Sequence, residues 1–145
     1  MDLKRLSLIG TAVLGVGVIG LLVRHVLLGT GPIAIGVQIV AVLLMVWSRL
    51  AFGLRSFHAS ANPTEGGLVT TGPYRYLRHP IYAAILYFTW AAVLSHRDVV
   101  TVLLGVAATA GAAIRIFTEE RLVVLRYPEY AAYAARTKRI IPFLV

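Results

Sequence analysis

The chain has 145 residues, of which 59% are hydrophobic and 14% charged, and its mean hydropathy of +0.81 lies far outside the range of a soluble globular domain. It reads as an integral membrane protein. The absence of cysteine excludes disulfides, thiolate metal sites and a cysteine nucleophile, and the formal charge of +8 needs no nucleic acid to explain it, because Lys and Arg sort to one side of the apolar runs.

Four stretches lack Asp, Glu, Lys and Arg: Leu6 to Val23, Gly31 to Ser48, His79 to Leu94 (extending to His96), and Val99 to Ile114. Each is slightly short of a bilayer crossing, so flanking arginines are expected to snorkel and the spans to cover about residues 6–28, 31–54, 79–96 and 99–118. The predicted fold is all-α, an integral membrane four-helix bundle with a short cytoplasmic C-terminal helix, as one domain over residues 1–145. The first run follows Lys4 and Arg5 but is long and lacks a small-residue cleavage site, so it is predicted to be a retained helix. Gly10, Gly15, Gly17 and Gly20 in it, and Gly105, Ala107, Ala108, Gly111 and Ala112 in the fourth run, are predicted to let helix backbones approach closely.

With the N-terminus in the cytoplasm, Lys4, Arg5, Arg49, Arg55, Arg75, Arg78, Arg115, Arg121, Arg126, Arg136, Lys138 and Arg139 fall inside and only Arg24 and Arg97 outside. This positive-inside bias predicts both termini, and the active site, on the cytoplasmic face. Of the four histidines, His25 and His96 then lie outside and His58 and His79 inside, and no HExxH or carboxylate cluster accompanies them; neither metal nor haem is expected.

The third run is preceded by Gly72-Pro-Tyr-Arg-Tyr-Leu-Arg-His-Pro-Ile-Tyr82. Pro80 suits a first helical position, with His79 near the cap. A helix start beside Arg75, Arg78 and His79 is suited to a carboxylate or phosphate, with Tyr74, Tyr76 and Tyr82 as flat faces; an aromatic and basic belt at the headgroups is the competing reading. At the end of the fourth run, Arg115 and Glu119 share a helix face, followed at once by Glu120. These residues form either a plain salt bridge or part of a site. In the tail, Pro128 can start a short helix carrying Tyr130 and Tyr133, with Arg136, Lys138 and Arg139 attracted to anionic lipid.

Taken together, Leu68-Val-Thr-Thr-Gly-Pro-Tyr-Arg-Tyr-Leu-Arg-His-Pro-Ile-Tyr82, Arg115-x-x-x-Glu119-Glu120, and Tyr130-Ala-Ala-Tyr133 followed by Arg139-Ile-Ile-Pro142 resemble the isoprenylcysteine carboxyl methyltransferase family of integral membrane enzymes, which use S-adenosylmethionine. The resemblance runs from Leu68 to Pro142. It implies a cofactor pocket of Leu68, Val69, Tyr74, His79, Pro80, Ile81, Tyr82 and Glu119, with Arg115 facing the substrate and Arg115 and Glu119 as the catalytic pair. The chain departs from the family pattern in having Gly66-Gly67 before the Leu-Val pair and Tyr-Pro-Glu before Tyr130. The implied activity is methyl transfer to an amphipathic or lipid-like acceptor, either carboxyl methylation of an isoprenylcysteine-like thioether acid or N- or S-methylation of a phospholipid or small molecule. The alternatives outside that class are a sterol-reductase-like NADPH enzyme, which usually has more helices, and a non-enzymatic membrane scaffold. The expected partners are the acceptor and membrane lipids, with no nucleic acid.

Overall fold

The computed structural model describes residues 2–53 and 67–142. Arg55, His58, Gly66 and the predicted end of the second span at residue 54 lie outside them. The described residues form five α-helices, α1 (Leu3–Val23), α2 (Pro32–Phe52), α3 (Pro80–His96), α4 (Val99–Arg126) and α5 (Tyr130–Arg136), with a 3₁₀ turn at Gly72–Arg75 ahead of α3. Among them there is no strand, only an isolated parallel bridge between Leu77 and Lys138.

Three helices, α1, α2 and α4, are long and apolar enough to cross a membrane. The 17-residue α3 is apolar but shorter; at 1.5 Å per residue it is about 26 Å long, just under a hydrocarbon core. It is also the most enclosed, with Tyr82, Ala83, Ala84, Leu86, Thr89 and Val93 all buried, as expected of a helix that is apolar all round. α1 packs chiefly on α4, α2 on α3, and α3 on α4. The outward faces of α1 and α2, including Val16, Ile19, Val40 and Leu50, are exposed, which for apolar surface of this extent marks contact with lipid.

Local chemistry explains the ends. The Asp2 carboxylate accepts from the Lys4 amide and starts α1 three residues before the charge-free run begins. α1 stops at Val23 rather than near residue 28, because His25 takes a left-handed conformation with φ 57°. The Asp98 carboxylate accepts from the Thr101 amide at 3.1 Å and caps α4. α4 continues to Arg126, two turns past the predicted end, since a helix leaving the bilayer needs no charge-free sequence; it ends at Tyr127, where the following Pro128 disfavours helical ψ. His79 and Pro80 occupy the N-cap and first helical position of α3, as expected.

The expected close approach of the first and fourth helices is present. A Cβ at Gly10 would lie 2.9 Å from Ile114 Cγ2 and 3.0 Å from the Gly111 carbonyl oxygen, and one at Gly17 only 2.6 Å from the Ala108 nitrogen. Gly15, by contrast, has open space around it. The contact therefore runs along one face of α1, the face that carries Gly10 and Gly17.

Candidate active site at the α3 start and the α4 end

Arg115 projects from the buried face of α4, and a charged group in a span must find partners among its neighbours. It finds them on three helices. Its Nε donates to the Tyr82 hydroxyl at 2.7 Å, Nη2 to Glu119 Oε1 at 2.6 Å, and Nη1 to Thr11 Oγ1 on α1 at 2.7 Å. Tyr82 in turn donates to the same Glu119 oxygen at 2.5 Å. Glu119 Oε1 thus receives two donors, while Oε2 lies 4.0 Å from His79 Nδ1. A carboxylate offers about four lone-pair directions, so this arrangement leaves Glu119 capacity for a further proton or cation.

Glu120 points elsewhere, as successive residues on a helix diverge by about 100°. It accepts from Arg78 Nε at 3.0 Å, from His79 Nε2 at 3.2 Å and from Arg139 Nε at 3.1 Å. A carboxylate only accepts, so His79 donates from Nε2 to Glu120 and turns Nδ1 toward Glu119. The basic start of α3 does attract a carboxylate, and the one it holds is the chain's own Glu120.

The tail locks this arrangement. The Arg78 and His79 amides donate to the Lys138 and Arg139 carbonyls, and Lys138 N donates to Tyr76 O. Arg78 Nη1 also donates to the carbonyls of Ala134 and Thr137 at 2.8 and 2.5 Å, and Tyr87 Oη to the Ile140 carbonyl at 2.5 Å. α5 docks through Tyr133, whose hydroxyl donates to the Tyr74 carbonyl at 2.7 Å. Burial pushes the Tyr133 hydroxyl up to about 12 and raises Tyr74 and Tyr130 as well, so all three stay protonated donors at neutral pH. The buried Tyr74 ring also stacks at a tilt against Phe52, 5.4 Å between centroids.

Of the residues singled out in the sequence, Arg115, Glu119, Tyr82 and His79 are brought into one group. Pro80 and Ile81 form the first turn of α3 beside it, Pro80 buried and Ile81 half-buried. Tyr74 is fixed by α2 and α5. Leu68 and Val69 are half-buried in the non-helical segment leading to the 3₁₀ turn. Sequence reasoning missed Thr11 and the triple engagement of Glu120; the adjacent acids signalled the second, while a lone threonine in an apolar run signals nothing.

The model of the phospholipid methyltransferase family matches residues 24–130. The chain belongs to the phospholipid methyltransferase family. This membrane methyltransferase family falls within the same superfamily as the isoprenylcysteine carboxyl methyltransferases that the motifs resemble. The family match begins well before Leu68 and takes in α2, which the motifs had left as a generic span; α1 lies ahead of it. Over 78 residues, 53% of its length, the chain is 36% identical to the cobalt-zinc-cadmium resistance protein CzcN of Cupriavidus metallidurans. The matched region spans only 36% of that protein. No solved structure matches the chain significantly.

Proposed function

We propose that the chain is an S-adenosylmethionine-dependent methyltransferase that modifies a lipid-like acceptor at the cytoplasmic face of the membrane, with α3 as a fourth, short span. The observation that carries this reading is the closed Arg115, Tyr82 and Glu119 group at the end of α4, set in a chain of a methyltransferase family. The orientation follows the Lys and Arg distribution, with both termini cytoplasmic.

The residues suit the cofactor. Glu119 Oε2 has capacity for the positive sulfonium, and the Tyr74 and Tyr82 rings, with the first turn of α3 (His79, Pro80, Ile81), border the same end of the bundle. By the family resemblance, Leu68 and Val69 would contact the cofactor through backbone. When bound, S-adenosylmethionine supplies an electrophilic methyl group for in-line displacement. Catalysis by the protein is then positioning and exclusion of water. Arg115 and Tyr82 hold the Glu119 carboxylate in one orientation, and the surrounding helices leave Arg115 only 9% exposed.

Each Arg115 nitrogen already has a partner within the chain, which disfavours the bidentate grip that a carboxylate acceptor would need. An amine acceptor fits better. It must lose a proton before it can attack, and Glu119 is the base within the group. Carboxyl methylation of an isoprenylcysteine-like acid remains the competing acceptor chemistry and requires Arg115 to release a partner.

The test is calorimetric titration of the purified protein in nanodiscs with S-adenosylhomocysteine, followed by a labelled-methyl assay on matched lipid amines and lipid acids. Binding, with label on the amines, is expected. Absence of binding would sink the cofactor assignment, and label on the acids alone would sink the amine.

A further inference from the structure

We infer that Thr11, on a helix ahead of the family match, is a positioning residue for Arg115; the kinetic part of the inference rests on the methyltransferase reading above. The hydroxyl proton of Thr11 is committed, because Oγ1 donates to the Ser7 carbonyl one turn back at 3.1 Å. Its lone pairs are therefore turned outward from α1, where they accept from Arg115 Nη1 at 2.7 Å. The other two nitrogens of the same planar guanidinium hold Tyr82 and Glu119. A rigid fork anchored at one prong fixes the other two.

The helix contact sets this prong. Gly10 and Gly111 bring the backbones of α1 and α4 together, and Ile114 Cγ2 lies only 2.9 Å from where a Gly10 Cβ would be. Thr11 directly follows Gly10, and Arg115 directly follows Ile114. The small-residue contact thus holds the hydroxyl in register with the guanidinium. Loss of the acceptor removes one of the partners that orient the buried guanidinium, which then turns and takes the Glu119 oxygen with it.

The alternative is that Thr11 merely ties α1 to α4. Thr109 provides the control, since its hydroxyl accepts from the Trp90 indole at 2.9 Å within the α3 and α4 contact without touching Arg115.

The experiment compares Thr11→Val, Thr11→Ala, Thr11→Ser and Thr109→Val in nanodiscs, measuring thermal midpoint, kcat and KM for the cofactor and for the methyl acceptor. Positioning predicts that the Val and Ala variants lose kcat by about tenfold with KM for the cofactor little changed, that Ser restores it, and that Thr109→Val lowers the midpoint without changing kcat. Equal kcat in Thr11→Val and wild type overturns the inference. A second readout does not depend on turnover. In arginine-labelled protein, the Arg115 Nη resonances, assigned by their loss in Arg115→Lys, are expected to be split by slow rotation in wild type and Thr11→Ser and averaged in Thr11→Val. Identical Arg115 resonances in wild type and Thr11→Val also overturn it. Failure of wild type to transfer any methyl group, with the resonances behaving as expected, contradicts the methyltransferase reading and leaves the positioning intact.

Discussion

Both ends of the helix array carry polar contacts between distant parts of the chain, and they differ in what surrounds them. At the end where α1 runs into α2 and α3 into α4, the Arg24 and Asp98 pair at 3.1 Å is 41% and 42% exposed, and the buried Gln38 amide satisfies backbone groups of Leu27, Gly29 and Phe88. At the other end Arg115 and Glu119 are only 9% and 24% exposed, and Glu120 only 16%. An exposed pair in water contributes little, whereas ionised groups taken out of water need several partners and hold them firmly. The first end is a clasp on the loops; the second is a denser and less exposed charge network, a pattern that clusters at functional sites.

The contrast can be broken from either side. The largest effect is expected from Glu119→Gln, which keeps the shape but removes the proposed base and counter-charge; methyl transfer should fall by about a hundredfold or more, measured as initial rates at saturating substrates. Next is Glu120→Ala, which leaves Arg78, His79 and Arg139 without their carboxylate. It should destabilise the protein by about 3 kcal/mol and raise hydrogen exchange at residues 138–140 before it touches the Arg115 group. Tyr82→Phe removes one of the two donors to Glu119 and the acceptor of Arg115 Nε, and should lower kcat by about tenfold together with a lowered thermal midpoint. The smallest effect belongs to the opposite end, where Asp98→Asn should leave turnover unaltered. The Thr101 hydrogen bonds hold the Asp98 carboxyl below its ordinary value of 3.8. Its contribution to the α4 cap is thus present above about that pH and fades as pH falls through the lower folded value, a shift that a pH series of thermal melts would record and that Asp98→Asn would abolish.

Much of the helix pattern was legible because exclusion of charge from lipid is a local property of sequence. The α3 start at Pro80 was legible for the same reason, proline chemistry being local, and the Arg115 and Glu119 pair because a four-residue spacing fixes a shared face. The extension of α4 to Arg126 was not, since the run free of charge ends at Arg115 while the helix does not. Nor was the occupant of the basic α3 start: the sequence offers a positive site, but only the packing of α4 and the tail supplies Glu120 to fill it. Thr11 was invisible because its role depends on register across a contact made by Gly10 and Gly111, separated from Arg115 by most of the chain.

The most direct measurement is the transfer of labelled methyl from S-adenosylmethionine to a lipid amine by the purified protein in nanodiscs, run side by side for wild type, Glu119→Gln and Asp98→Asn. The account predicts label with wild type and Asp98→Asn and almost none with Glu119→Gln. Equal label in all three proteins, or loss with Asp98→Asn alone, would contradict it.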